Sequence, residues 1–198
     1  MKLIFATHNP GKFQEMRELL AELEVAVLSA DDAGVTEDPE EDGRTFEENA
    51  LKKARFVAGQ TKEWAVADDS GICIDALNGA PGVETARWAG DREKLVSHTL
   101  EKMKNIPEGK RQATFYSVVA LVSPDGDEHV FKGEVHGRLA TTPRGTALPK
   151  LPYDVIFIPD GYEQTFAEMP AELKNSISHR GRAFAELKKF LQSIVGVS

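Results

Sequence analysis

KLIFATHNPGKFQEMRELL, residues 2–20, changes from the periodicity of a strand to that of a helix. Residues 3–6 are all apolar and predict a buried strand, and turn-forming residues follow from Thr7 onward. Beyond Lys12, apolar residues recur at helical spacing. They are Phe13, Met16, Leu19, Leu20 and Leu23. We therefore predict a strand, a loop and a helix, which is the opening unit of an α/β fold.

The loop of this unit carries groups that suit an anion. A helix N-terminus presents unpaired N–H groups and about half a positive charge. Gly11 lets the backbone approach an anion closely, Lys12 adds a point charge and Asn9 offers an amide. The loop is not a P-loop, because Ala6 stands where the first glycine belongs and Phe13 follows the lysine. An anion site and a plain β–α turn with a solvated lysine both remain compatible with it.

The composition limits the partners of the chain. Among 198 residues, 24 are basic and 32 are acidic, and the net charge of −8 argues against a long nucleic-acid duplex or an anionic membrane as the main partner. Cys73 is the only cysteine, so we expect neither an internal disulfide nor a cysteine metal cage. The sequence has no pattern of a signal peptide or a membrane span, and we expect a cytoplasmic location.

Patterning along the rest of the chain predicts a mixed sheet with helices packed on it. The capping-box pattern Thr45-Phe46-Glu47-Glu48 predicts a helix that continues through residue 58. A turn at residues 124–127 predicts a hairpin of two long strands. Further strands are expected at residues 25–28, 64–67, 72–75 and 155–158, and further helices at 92–104 and at the C-terminus, where Ala183, Phe184, Leu187, Phe190, Leu191 and Ile194 share a face. We expect an α/β fold split into two lobes around a cleft.

Two adjacent aspartates, Asp68 and Asp69, follow the strand expected at residues 64–67. Neighbouring side chains on a strand point to opposite faces, so we expect one of the two to face a cleft. Mg²⁺ would relieve their repulsion, with Glu40 or Glu41 of an acidic loop (residues 37–42) as a second carboxylate. A solvated acidic turn is the alternative for that loop. An aspartyl phosphatase is disfavoured, because its aspartates are separated by one residue.

Basic and amide side chains gather at two other places. Asn49 and Lys53 share a face of the capped helix, with simple surface solvation as the alternative. A second group near the start of the terminal helix comprises Lys174, Ser178, His179 and Arg180. Ser178 is the candidate N-cap, and a helix start with exposed charges is the alternative. Taken with the aspartates, these groups favour a polyphosphate bound together with Mg²⁺.

Six motifs extend this interpretation from Ala6 to Ala183. They are ATHNPGK, TFEENALKKAR, ADDSG, GAPGVETAR, PYD and SISHRGRA. In this order they resemble the inosine/xanthosine triphosphate pyrophosphatase family over nearly the whole chain. The resemblance implies one nucleoside triphosphate pyrophosphatase domain over residues 1–198, with an elongated mixed central sheet. It also implies a Mg²⁺-dependent homodimer that hydrolyses ITP, dITP and XTP to the monophosphate and pyrophosphate, which removes them from the nucleotide pool.

The same resemblance implies roles for individual residues. Asp69 would act in activating the attacking water, Lys12 and Lys53 would act on the triphosphate in catalysis, and Glu41 with Asp69 would hold Mg²⁺. The implied substrate contacts are Thr7, His8, Asn9, Pro10, Gly11, Lys12, Lys53, Ser70, Tyr153, Asp154, Lys174, His179 and Arg180. The last three of these residues would lie near the base.

One stretch departs from the family pattern. Relatives usually carry GGFGYDP where this chain reads ALPKLPYDV at residues 147–155. Leu151 replaces the aromatic residue expected to stack on the purine, and Pro152 replaces a glycine. A pyrophosphatase for another modified or pyrimidine nucleotide is therefore one alternative. A non-catalytic nucleotide-binding regulator is another, although a binding protein has less need of a water-activating carboxylate such as Asp69.

Overall fold

The protein is described by a computed structural model that covers residues 1–8, 10–148 and 151–195. Its six strands form one sheet in the order β2-β1-β3-β4-β5-β6. The strands are β1 (Lys2–Phe5), β2 (Ala26–Ser29), β3 (Trp64–Ile74), β4 (Gln112–Val122), β5 (Glu128–Leu139) and β6 (Phe157–Pro159). Strand β1 is parallel to β2 and β3, whereas β5 and β6 are antiparallel. The mixed sheet predicted from the sequence is confirmed.

Helices flank this sheet, as expected for an α/β fold. The α-helices are α1 (Pro10–Leu19), α2 (Phe46–Thr61), α3 (Leu95–Lys102), α4 (Ala171–Ile177) and α5 (His179–Val195). Short 3₁₀ helices lie at Asp75–Leu77, Gly82–Glu84, Arg92–Lys94, Glu108–Lys110, Pro152–Val155 and Phe166–Glu168. Within the described residues, no helix is long and apolar enough to cross a membrane.

The chain divides into two compact units. Unit 1 comprises Met1–Asp69, Ser117–Gly133 and Arg182–Ser198, and unit 2 comprises Ser70–Tyr116 and Glu134–Gly181. The expectation of one domain with two lobes around a cleft stays a prediction.

Both faces of the sheet are buried in unit 1. On one face, Ala65 and Ala67 of β3 pack with Ala54 of α2. On the other face, Val66 packs with Met16 of α1 and with Leu187 and other residues of α5. The alternation along β3 therefore assigns odd-numbered side chains to the α2 face and even-numbered ones to the α1 and α5 face.

The core of unit 2 is rich in aromatic residues. Phe115 of β4 packs edge-on against Phe157 of β6, with ring centroids 4.6 Å apart. Phe166 completes the group, with its ring centroid 5.2 Å from that of Phe157. These rings pack with Ile72 and other apolar residues in one buried cluster. Aromatic pairs at such distances add stabilisation beyond the burial of their area.

Several elements differ from the sequence prediction, and α4 was not predicted from the sequence. Strand β3 continues through Asp68 and Asp69, because both side chains find polar partners within the fold. Helix α1 begins at Pro10, since proline favours the first helical position, so Lys12 lies on the helix and not on the loop. The strand expected at residues 155–158 is the shorter β6, because Pro152–Val155 forms a 3₁₀ helix. Ile194, expected on the apolar face of α5, is 37% exposed.

Candidate active site

Asp68 and Asp69 lie side by side in the middle of β3 and point to opposite faces of the sheet. Asp68 follows the even-numbered alternation and meets Lys12 of α1, whose Nζ lies 2.9 and 2.8 Å from its two carboxylate oxygens. Asp69 lies on the other face and accepts a hydrogen bond of 3.0 Å from Nδ2 of Asn49 on α2. The two carboxylates therefore have separate partners, although they are neighbours in the sequence.

The pair of Lys12 and Asp68 joins a half-buried lysine to a buried carboxylate. Asp68 is only 3% exposed, so its charge depends on the ammonium beside it. A contact to both carboxylate oxygens fixes where the lysine head lies. Asp68 thus anchors the cation that the sequence predicted as a phosphate contact.

Lys53 lies at the centre of the polar cluster on the α2 face. Its Nζ donates to Oε1 of Glu41 at 2.8 Å and to the backbone carbonyl oxygen of Asp68 at 2.7 Å. Burial acts to lower the pKa of Lys53, but the charges of Asp68, Asp69 and Glu41 outweigh it, and the pKa lies above its ordinary value. The side chain is therefore a buried, charged lysine surrounded by carboxylates.

For the carboxyl group of Asp69, in contrast, the effect of burial on the pKa outweighs the effects that oppose it. Burial raises its pKa above the ordinary value, and the nearby charges of Glu41 and Asp68 act in the same direction. The charge of Lys53 and the hydrogen bond from Asn49 lower the pKa, but not enough to cancel the rise. A carboxylate with a raised pKa accepts a proton more readily, which suits a general base.

The loop between β1 and α1 contributes two further side chains. Thr7 is buried, and its backbone N–H donates to the carbonyl oxygen of Phe5 at 2.7 Å. Nδ1 of His8 lies 2.7 Å from Asp31, and its Nε2 lies 3.4 Å from Asp38. Asn9 lies outside the described residues.

The other predicted pocket residues belong to unit 2. The hydroxyl groups of Tyr153 and Thr99 lie 3.3 Å apart, and burial raises the pKa of Tyr153 while this hydrogen bond lowers it. Asp154 is buried and pairs with Lys174, whose Nζ lies 5.9 Å from the ring centroid of Phe166. Tyr153, Asp154 and Lys174 are therefore buried or half-buried groups with defined partners.

His179 and Arg180 occupy the first turn of α5. The ring of His179 stacks on Phe115, with centroids 4.6 Å apart and planes only 7° from parallel. The hydroxyl oxygen of Ser178 accepts a hydrogen bond of 3.1 Å from the backbone N–H of Gly181, which confirms the predicted N-cap. A side chain at Gly181 would collide with the backbone of Asn175, so this tight junction needs a glycine.

Ser70 and Leu151 were also singled out from the sequence. Ser70 is half-buried and directly follows Asp69 on β3. Leu151 is half-buried, and its backbone N–H donates to the carbonyl oxygen of Leu148 at 3.0 Å. Pro149 and Lys150 lie outside the described residues.

A comparison with protein families identifies the chain. The profile of the Ham1 family matches residues 3–190. The chain belongs to the Ham1 family. The resemblance stated from the six motifs is confirmed by this match and by curated relatives named dITP/XTP pyrophosphatase.

Relatives match this Ham1 chain over nearly its whole length. The dITP/XTP pyrophosphatase of Geobacter sulfurreducens is 44% identical, over 96% of both chains. That of Symbiobacterium thermophilum is 46% identical, over 98% of this chain and 96% of the relative. A HAM1 protein of known structure from Coxiella burnetii is 37% identical, with a TM-score of 0.90 over 98% of this chain and 99% of the other. These comparisons confirm the fold.

The carboxylates predicted as metal ligands are those of Glu41 and Asp69. Among the described residues, no group of three or more His, Cys, Asp or Glu side chains is arranged to hold a metal. Mg²⁺ needs only one or two carboxylates, and it fills its remaining positions with water and phosphate oxygens. Glu41 and Asp69 meet this requirement, since both interact with Lys53 and the charge of Glu41 raises the pKa of Asp69.

Two residues that the Ham1 structure brings into the cluster had no individual role predicted from the sequence. Asp68 was recognised as a carboxylate, but its contact with Lys12 depends on the packing of α1. Asn49 was placed on the same helix face as Lys53, with surface solvation as the alternative, whereas it is 1% exposed. Only the spacing of four residues between Asn49 and Lys53 pointed to a shared role.

Proposed function

We propose that the protein hydrolyses the deaminated purine nucleotides dITP, ITP and XTP to the nucleoside monophosphate and pyrophosphate. Membership of the Ham1 family and curated relatives named dITP/XTP pyrophosphatase support this function. A nucleotide-binding regulator is not favoured, because the chain retains two lysines, Lys12 and Lys53, and a half-buried carboxylate, Asp69, suited to chemistry. A pyrophosphatase for another modified or pyrimidine nucleotide is not favoured by the relatives either.

The observation that carries the proposal is the environment of Asp69. Its raised pKa suits a group that takes a proton from water, and Asn49 holds one of its oxygens in place. We assign Asp69 the activation of the water that attacks the α-phosphorus. Attack at this phosphorus, and not at the γ-phosphorus, releases pyrophosphate in one step.

The lysines supply positive charge for the triphosphate. Lys12 is held by Asp68, and Lys53 is held by Glu41 and the carbonyl oxygen of Asp68, so both ammonium groups are positioned before substrate binds. Such preorganised charge stabilises the charge that develops on leaving phosphate oxygens. Residues 7–11 and the N-terminus of α1 are proposed to contact the phosphates.

Mg²⁺ is the proposed cofactor, with Glu41 and Asp69 as its protein ligands. When bound, the ion would polarise phosphate oxygens and neutralise charge on the leaving pyrophosphate. Two carboxylates near one another and near a buried lysine support this assignment.

The base is assigned to residues of unit 2. Lys174, His179 and Arg180 are proposed to meet the edge or face of the purine, and Ser70, Tyr153 and Asp154 to contact the nucleotide beside them. Donors such as Lys174 suit the 6-oxo group of hypoxanthine or xanthine, whereas the 6-amino group of adenine would leave them without an acceptor. The stacking of His179 on Phe115 supports a fixed orientation of its ring.

A panel of nucleoside triphosphates with Mg²⁺, analysed for both products, tests the function. We expect pyrophosphate and monophosphate from ITP, dITP and XTP, and much slower turnover of ATP and GTP. Omission of the divalent ion should abolish turnover. Release of orthophosphate with a nucleoside diphosphate would place the attack at the γ-phosphorus and overturn the mechanism.

We further propose that the protein acts in the cytoplasm as a homodimer. The family resemblance of the six motifs supports the homodimer, and the curated names of the relatives support a nucleoside triphosphate as the substrate.

A further inference from the structure

Asn49 connects two segments that carry the proposed chemistry. Its side-chain oxygen Oδ1 accepts a hydrogen bond of 2.8 Å from the backbone N–H of Gly43, at the end of the acidic loop. Its Nδ2 donates to Oδ2 of Asp69 at 3.0 Å. A backbone N–H can only donate, so it fixes which end of the amide faces the loop. The NH₂ group is thereby directed at Asp69.

Lys53 makes a second connection between the same segments, one helical turn further along α2. It joins Glu41 of the acidic loop to the backbone of Asp68 on β3. Residues four apart on a helix lie on one face, so Asn49 and Lys53 form two parallel bridges. One bridge ends on Glu41 and the other on Asp69, the two proposed metal ligands.

Gly43 lies so close to Asn49 of α2 that a side chain at residue 43 would have no room. A Cβ atom built on Gly43 would lie only 3.0 Å from Cγ of Asn49 and 3.0 Å from its backbone nitrogen. The loop therefore packs directly on this amide, and Asn49 is 1% exposed. A buried amide must satisfy both of its polar ends, and here each end meets a different segment.

We propose that Asn49 is a positioning residue that sets the separation between Asp69 and the loop carrying Glu41. Asn49 acts through these two groups and does not itself touch the nucleotide. The inference rests on the proposed pyrophosphohydrolase function.

Two substitutions separate the two ends of the bridge. Asn49→Ala removes both hydrogen bonds. Asn49→Asp keeps an acceptor for Gly43 but loses the donor to Asp69. Lys52→Ala is the matched control, because Lys52 also joins α2 to the acidic loop, through an exposed contact of 2.5 Å to Asp42 that does not involve β3.

Three measurements read out the bridge. The first is kinetics with ITP and Mg²⁺, in which both Asn49 variants should lose roughly 10- to 100-fold in kcat, as is typical for residues that orient ligands. Their KM should change by less than about threefold, since nucleotide contacts remain. The second is hydrogen exchange of the Gly43 amide, which should be protected in wild type and Asn49→Asp and unprotected in Asn49→Ala. The third is Mn²⁺ affinity without nucleotide, which should fall in Asn49→Ala.

The control determines how these results are interpreted. Lys52→Ala should match wild type within about twofold in kcat and in Mn²⁺ affinity, as expected for an exposed ion pair. The proposal is overturned if Asn49→Ala behaves like Lys52→Ala, or if the Gly43 amide of wild type exchanges as fast as an exposed amide. A wild-type protein that releases no pyrophosphate from ITP would overturn the proposed function instead, and the exchange and Mn²⁺ measurements would still decide the role of Asn49.

Discussion

At the scale of single residues, burial gives neighbouring carboxylates different chemistry. Asp68 is enclosed with the ammonium of Lys12, so it serves to hold a cation. Asp69 is half-buried among competing charges, and its pKa is raised. The sequence predicted that the two side chains would point apart, since that follows from strand geometry alone. It could not predict their partners, because Lys12 and Asn49 lie on helices whose packing depends on the whole fold.

We expect Asp69→Asn to lower kcat by about 10²- to 10⁴-fold, the range attributed to a general base. The amide keeps the shape of the side chain but cannot accept the proton of water. Steady-state kinetics with ITP, with circular dichroism as a control for folding, measures the effect. Near wild-type activity in a folded variant would show that another group activates the water.

The same variant has a consequence for stability without divalent ions. In the unfolded chain the Asp69 pKa is near its ordinary 3.8, and in the folded protein it is higher. The folded state therefore holds this proton more tightly, and that contribution to stability is lost as the pH rises from 3.8 through the raised pKa. Asp69→Asn should remove this pH dependence and raise the free energy of unfolding near neutral pH. Urea titrations in EDTA at several pH values measure it.

At the scale of elements, α2 carries Asn49 and Lys53, and an N-cap hydrogen bond stabilises its N-terminus. The hydroxyl oxygen of Thr45 accepts a hydrogen bond of 3.1 Å from the N–H of Glu48, as the capping-box pattern predicted. The carboxylate of Glu48 turns instead to the N–H of Arg44, at 2.6 Å. Local signals of this kind made α2 and the β4–β5 hairpin predictable from sequence. The length of β3 was not predictable from the sequence, because aspartate is unfavourable in strands and only tertiary partners offset that preference.

Thr45→Ala should lower the free energy of unfolding by about 1 kcal/mol, the usual cost of losing an N-cap. For a chain of this size the corresponding fall in Tm is roughly 2–4 °C. Thr45→Ser keeps the hydroxyl group and serves as the control. Equal Tm values for the alanine variant and wild type, measured by calorimetry, would mean that the cap contributes nothing.

At the scale of the whole molecule, each unit is built from more than one segment of the chain. The unit boundaries fall inside β3 after Asp69, inside β4 after Tyr116, inside β5 after Gly133 and inside α5 after Gly181. Neither unit is a continuous segment, so neither can be isolated by truncation. Sequence patterning predicted most of the strands and long helices and, through six motifs, the family. It could not predict these divisions, because they depend on which residues pack together.

We expect sedimentation equilibrium to give twice the chain mass of 21.7 kDa, as the proposed homodimer requires. The measurement should be made across a range of protein concentrations, since dimerisation follows mass action. A single species of one chain mass at micromolar concentration would contradict the homodimer and leave the proposed chemistry of unit 1 unaffected.

Asp68 and Asp69 point to opposite faces of the sheet, so the number of β3 residues that precede them determines which face each carboxylate occupies. Inserting or deleting one residue between Trp64 and Asp68 would exchange the faces of the two carboxylates. Only one of them would then reach the place of the other, and the second would lie away from both sets of partners. A change of two residues would keep each carboxylate on its own face, although it would shift both along the sheet. Among divergent relatives, length variation ahead of the aspartate pair should therefore occur outside this strand, at the turn that joins α2 to β3.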